Sequence, residues 1–193
     1  MTLKEVLSAV SGILTIFCLI PYILSIIAKK TKLMKATWLI WASLDTVIFW
    51  GMFLEGGANG QIFVSVFGSW LIFFLSLRYG APKWTWLDKI CLAILVVSIL
   101  AMIFGNNLIS ILACLLANCV GAIPTCCSVW EDYRREPRFT WLLATIASFC
   151  ALASVSTWKI EHVAQPLTFI IIQVPMVYLL FVRKAVPSLR EIL

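Results

Sequence analysis

The chain has 193 residues, of which 62% are hydrophobic and only 12% charged, with a mean hydropathy of +1.01 and a formal net charge of +6. That balance lies far outside an ordinary soluble domain and reads as an integral membrane protein. The seven cysteines lack the spaced pairs of a zinc site or a secreted disulfide framework, which leaves them as small apolar packing residues.

A helix crossing a hydrocarbon core of roughly 30 Å needs about 20 apolar residues. Dividing the chain at its charged and Gly/Pro/Asn-rich breaks predicts seven spans. The first, Val6–Ala28, carries Pro21 near its end and runs into four lysines, Lys29, Lys30, Lys32 and Lys35. Its proline and lysines mark it as a retained helix and not a cleaved signal. Ala36–Leu54 opens on Thr37-Trp38 and carries Asp45 at its centre, nine residues from either end. Gln61–Leu77 follows the short connection EGGANG. Trp86–Phe104 contains CLAILVVSILAMIF, which is apolar on every side and so excludes the alternating strands of a β-barrel. Leu108–Trp130 carries Pro124, Phe139–Trp158 opens on Thr140-Trp141, and Val163–Val182 completes the set.

The fifteen Lys and Arg residues sort unevenly between the two faces that seven spans define. Lys4 and Lys159 fall on one side. The other takes Lys29, Lys30, Lys32, Lys35, Arg78, Lys83, Lys89, Arg134, Arg135, Arg138, Arg183, Lys184 and Arg190, thirteen in all. The positive-inside rule then predicts an N-terminus outside or in a lumen and a cytoplasmic C-terminus, with the plasma membrane as the expected location. These cations sit at helix ends beside anionic lipid, which accounts for the basic charge without nucleic acid.

Adding 103 to each position lays the second half of the chain on the first. Ile20-Pro21 falls on Ile123-Pro124, Ser25 on Ser128, and Thr37-Trp38-Leu39 on Thr140-Trp141-Leu142. Each proline lies near the basic end of a helix, and each Thr-Trp begins the next. The expected fold is therefore all-α: two parallel three-helix bundles, residues 1–80 and 107–193, joined by a linker helix within 81–106. Parallel repeats of this kind form transporters with a site near the midplane, between the copies. Matched kinks at Pro21 and Pro124 suit a gate.

A 3+1+3 helix order, a proline at the end of the first helix of each repeat and a Lys-Thr-Lys loop after it resemble the PQ-loop superfamily, which includes the SWEET sugar transporters. Here Pro21 is followed by Tyr22 and Pro124 by Thr125, where the superfamily's name-giving motif has glutamine. The resemblance implies alternating access of a central cavity, with a tryptophan of the second helix and an asparagine of the third helix of a repeat contacting the solute. Trp50 falls where that tryptophan would be. Ser65 and Thr168 are the polar residues nearest the asparagine positions, and Ser154 lies near the second tryptophan position. The function it implies is carriage of a small polar solute, sugar-like first. A nicotinamide riboside, nucleoside or amino-acid carrier of the same fold, with or without proton coupling, and a ligand-binding receptor are the alternatives.

The remaining site candidates come from residue chemistry. Asn118 and Gln173 are amides within spans, where they need several partners. Trp41, Trp50 and Trp70 lie deeper than Trp38, Trp84, Trp86, Trp130, Trp141 and Trp158, which are expected in the interfacial belt. A flat ring facing a pocket stacks on sugars and nucleosides, which puts Trp50 and Trp70 on the binding surface. Asp45 costs about 2.5–3.5 kcal/mol at mid-membrane, and no Lys or Arg lies at its depth, which points to a proton- or cation-coupling role, the alternative being a neutral acid hydrogen-bonded to a neighbouring helix. No phosphate loop or pair of intramembrane carboxylates points to an enzyme, and no cofactor or metal is expected. The expected partners are the solute, the surrounding lipid and a second copy of the chain.

Overall fold

The computed structural model describes residues 1–29 and 33–183, the side chain of Arg135 excepted. Lys30, Lys32, Lys184 and Arg190, four of the thirteen cations counted on the basic side, and with them the Lys-Thr-Lys loop, lie outside the described residues. Seven α-helices account for almost all of the rest: α1 (Leu3–Ile27), α2 (Lys35–Leu54), α3 (Gly60–Tyr79), α4 (Trp86–Ile103), α5 (Asn107–Glu131), α6 (Arg138–Ala153) and α7 (Ile160–Phe181). All but α6 are long and apolar enough to cross a membrane. The fold is that of an all-α integral membrane protein.

Helices are forced here because a backbone in hydrocarbon must satisfy its own hydrogen bonds. Their starts are marked by polar caps. Thr2 and Glu5 form a capping box on α1, as Thr85 and Asp88 do on α4, while Asn59 and Asn106 accept from Ile62 N and Ile109 N. The helix α6 departs most from its expected span, ending at Ala153 where the sequence predicts Trp158. There the Ser154 hydroxyl turns back to the Ala151 carbonyl (2.7 Å), and the run Ser154-Val-Ser-Thr leaves the helix, with Trp158 exposed. At 16 residues α6 spans only about 24 Å. His162, expected in the loop before the last helix, belongs to the first turn of α7 and is buried.

Burial is inverted relative to a soluble protein. On α1 the exposed residues include Ile13, Ile16, Phe17, Ile20 and Leu24, spaced by three and four along one face, whereas Ser11, Gly12, Thr15 and Cys18 are buried. Large apolar side chains facing outward and small ones packed between helices are what a lipid solvent selects. Gly60 shows the closeness of that packing. A Cβ there would fall on the Ser8 carbonyl of α1, and its N–H donates to the Ser8 hydroxyl at 2.9 Å.

The packing order closes a ring: α1 on α3, α3 on α2, α2 on α5, α5 on α7, α7 on α6, and α6 back on α1. The helix α4 lies outside it, against α5 and α2. The largest apolar core, with Leu44, Ile48, Leu95, Ile111 and Leu115, joins α2, α4 and α5. At one end of the ring the segments after α1 and α3 pair through Lys35 N to Ala81 O (3.1 Å) and Ala81 N to Leu33 O (2.9 Å). This end carries the described residues of the basic loops, and is called the basic end below.

Candidate functional site

Inside the ring lies a cavity of about 440 Å³, lined by residues of all seven helices. It runs from the middle of the bundle to the basic end, where Tyr22, Thr37, Asp88 and Glu136 border it. Of the residues singled out from sequence it brings together Asp45, Ser65, Asn118, Gln173 and Pro124. Trp50, Trp70, Ser154, Thr168 and Pro21 lie away from it. Trp50 is 51% exposed on the outer face of α2, packed on Phe53. Trp70 donates to the Thr46 hydroxyl at 3.0 Å, tying α3 to α2, and Ser154 ends α6. Pro21 borders a separate crevice with Tyr133 and Phe181.

The aromatic wall comes from Trp38 and Trp141, expected in the belt, together with the deeper Trp41. Trp38 and Trp41 meet edge to face with ring centroids 5.4 Å apart, Tyr22 lies 5.7 Å from Trp38, and Trp141 stands on α6. Helical spacing explains why Trp38, Trp41 and Asp45 share one face of α2, and Trp50 does not. The indole of Trp41 has room because position 121 on α5 is glycine: a Cβ there would come within 2.7 Å of its Nε1. The signal available beforehand was the repeat itself, since Trp38 and Trp141 are a matched pair.

Polar groups are graded along the cavity. Deep in it, the Asp45 carboxyl on α2 lies against the Ser69 hydroxyl and the Asn118 amide, all three more than nine-tenths buried. At the basic end Asp88 is held by its neighbours: Oδ1 accepts from the Thr37 hydroxyl (2.7 Å), and Oδ2 from the Thr85 hydroxyl (2.7 Å) and Thr85 N (2.8 Å). Glu136, before α6, accepts from Trp141 Nε1 at 3.2 Å. Burial pushes its carboxyl up to about 7, and the indole bond only partly offsets that. Thr140 donates to the Cys18 carbonyl at 3.2 Å, one turn before Pro21, which fastens α6 to α1 beside the loosened backbone.

The end opposite the basic loops is closed. A chain of side-chain hydrogen bonds runs inward from it: Asn59 Nδ2 to Gln165 Oε1 (2.9 Å), Gln165 Nε2 to Gln61 Oε1 (3.2 Å), Gln61 Nε2 to Ser148 Oγ (2.6 Å), and Ser148 Oγ to Gln173 Oε1 (2.6 Å). All five residues are buried. The chain stitches α3 to α6 and α7, elements distant in sequence. Around it, His162 Nε2 meets the Glu55 carbonyl at 3.0 Å, Asn107 donates to Glu55 Oε1 at 2.8 Å, and the Lys4 ammonium donates to the Ser156 carbonyl at 3.2 Å. Of this network only Gln173 stands out in the sequence as a candidate; Asn59, Gln61 and Gln165 lie near helix starts, where an amide reads as a cap or a loop residue, and Ser148 is an ordinary hydroxyl within α6.

Among the described residues no group of three His, Cys, Asp or Glu side chains is placed to hold a metal ion. No family model, curated protein or solved structure matches the chain.

Proposed function

We propose that the protein is a transporter in which two parallel three-helix repeats, joined by α4, expose the central cavity alternately to the two sides of a membrane. The packing order supports this reading. Shifting each helix to its mate (α1 to α5, α2 to α6, α3 to α7) turns α1 on α3 into α5 on α7, α2 on α3 into α6 on α7, and α1 on α6 into α5 on α2, and each of those contacts exists. Only the contacts of α4 break the pattern, as expected of a linker.

The single observation that carries transport over static binding is the polarity of the cavity. It reaches the basic end and stops at the other, where the seal is a chain of hydrogen bonds between the proposed repeats. Hydrogen bonds of this kind can be exchanged at modest cost, unlike the interlocked apolar core between α2, α4 and α5. Breaking them while Tyr22, Trp38 and Trp141 close over the other end would turn the access around. With the basic loops cytoplasmic and the N-terminus outside, the structure corresponds to an inward-facing state. The sequence resemblance to SWEET-like carriers points the same way, with a small polar solute as cargo.

The test is counterflow. Purified protein in liposomes preloaded with an unlabelled solute should accumulate the same solute in radiolabelled form, across a panel of sugars, nucleosides, amino acids and organic cations. A panel that gives thermal stabilisation but no counterflow assigns the cavity to a receptor instead.

A further inference from the structure

We infer that the solute taken by this cavity is an organic cation: a small quaternary or otherwise permanently charged nitrogen compound held between indole faces and a buried carboxylate. The inference rests on the transport reading and names its substrate class.

The wall is unbalanced in charge. Asp45, Asp88 and Glu136 line the cavity, and among its described lining residues there is no Lys, Arg or His. Arg134 and Arg138 share the adjoining crevice with Glu136, and both guanidinium groups lie over the Tyr133 ring, 5.5 Å from its centroid. Asp88 is spoken for by Thr37 and Thr85. Asp45 is different: it is buried at mid-bundle, and the groups that hydrogen-bond to its carboxyl, Ser69 and Asn118, are neutral. Moreover, the Ser69 hydroxyl donates to backbone carbonyls of its own helix, Ser65 O at 2.8 Å and Val66 O at 3.1 Å. Among the described lining residues none supplies a counter-charge to a carboxylate so placed, and a bound cation would supply it.

The second observation is independent of the first. Trp38, Trp41 and Trp141 converge on the same cavity, with Trp38 and Trp41 in edge contact and Tyr22 beside them. Electron-rich rings enclosing a space recognise alkylammonium and N-alkylated heterocycles through cation–π attraction, and recognise them best where water is excluded. A polyol would need a ring of hydrogen-bonding amides instead. Of the cavity's amides, Gln61 and Gln173 already contribute to the closing chain, which leaves Asn118. Carboxylate at depth, indoles around it and a second carboxylate at the mouth describe a path that attracts cations and holds a flat or quaternary one.

The experiment compares charge at constant shape. Thermal shift of the purified protein is measured with choline and with 3,3-dimethylbutan-1-ol, in which carbon replaces the charged nitrogen, and with N-methylpyridinium and 4-methylpyridine, which has the same shape and is neutral, at pH 8. Counterflow is measured with radiolabelled choline and radiolabelled glucose. The inference expects stabilisation by at least one of the two cations at concentrations at least tenfold below its neutral counterpart. It also expects cation counterflow that falls at least tenfold in Asp45→Asn and in Trp41→Ala, with Asp45→Glu retaining more than Asp45→Asn. If glucose shows counterflow and neither cation binds more tightly than its isostere, the substrate class is wrong and the transport reading survives. If no solute in the wider panel shows counterflow, the transport reading falls, and this inference with it. The comparison on unmodified protein keeps the result decisive even if a variant does not fold.

Discussion

Replacing Gln61 with leucine tests whether the amide chain holds the far end shut. The substitution keeps the side chain's bulk and removes two hydrogen bonds, to Ser148 (2.6 Å) and from Gln165 (3.2 Å). It also leaves the Gln165 amide, at 0% exposure, without its acceptor. Each such bond within a membrane contributes about 0.6 kcal/mol on average and up to roughly 1.5 kcal/mol. The closed arrangement should therefore lose about 1–2 kcal/mol relative to one open at that end, which raises the population of the open form roughly 5- to 30-fold. A cysteine at Ser65 reports it, because Ser65 lines the cavity on the sealed side's approach. In a background with Cys18, Cys91 and Cys127 changed to alanine, a membrane-impermeant thiol reagent applied from outside should label Ser65→Cys faster by that factor once Gln61→Leu is added. An unchanged labelling rate in a protein that still unfolds at the parent temperature would show that the network does not govern access, and the seal must then be sought in the apolar packing.

Three further outcomes are expected. Glu136 holds its proton more tightly in the folded protein (about 7) than its ordinary value of 4.5, so its contribution to stability is greatest at low pH and is lost as pH rises from about 4.5 to about 7, by at most ~3 kcal/mol; Glu136→Gln should flatten that slope in thermal melts between pH 5 and 8, and an unchanged slope would place the titration elsewhere. For orientation, in a Cys127→Ser background the impermeant reagent should reach a cysteine at the exposed Ala58 on intact cells, and one at the exposed Lys83 only after permeabilisation, reversed labelling inverting the topology. Pro21→Ala and Pro124→Ala should each slow counterflow several-fold while leaving ligand-induced thermal stabilisation in place, and wild-type rates in the double variant would reduce both prolines to packing features.

What could be read from the sequence followed from physics with a long reach along the chain. Helix positions are set by hydropathy and the matched prolines by the repeat, and the boundaries agree closely except at α6, where a run of hydroxyl residues ends the helix early. The site was legible where a polar residue is anomalous in its span: Asp45, Asn118 and Gln173 all face the cavity. It was not legible where the residue type is ordinary for its place. Trp38 and Trp141 sit at helix starts, where belt tryptophans are common, and only the ring of helices turns them inward. Asn59, Gln61 and Gln165 are unremarkable singly, and their meaning is a contact across about a hundred residues that no local pattern encodes. Trp50 failed to reach the cavity for a geometric reason: five residues from Asp45 is half a turn too far, so its ring meets lipid.

The chemistry of the site lies where the two halves differ. Under the 103-residue shift the architectural residues correspond, Pro21 with Pro124 and Trp38 with Trp141, and of these Trp38, Pro124 and Trp141 line the cavity. The residues that give it character do not. Asp45 corresponds to Ser148, Trp41 to Ala144, Cys18 to Gly121, and Thr15 to Asn118. One consequence is that the carboxylate and the second indole stand on the same wall, on α2, while the matching position of α6 gives its hydroxyl to the closing chain through Gln61 and Gln173. A second concerns the mouth. Thr140 donates to the carbonyl of Cys18 on α1, whereas its counterpart under the shift, Thr37, donates to Asp88 on α4, outside the ring. On the proposed transport reading, the symmetric part of the sequence would let the helices pack in two similar arrangements, as alternating access requires. The asymmetric part stations one charged, aromatic wall on α2 and ties that side to α4 through Thr37 and Asp88, while α6 is held to α1 by the Thr140 bond and by extensive packing.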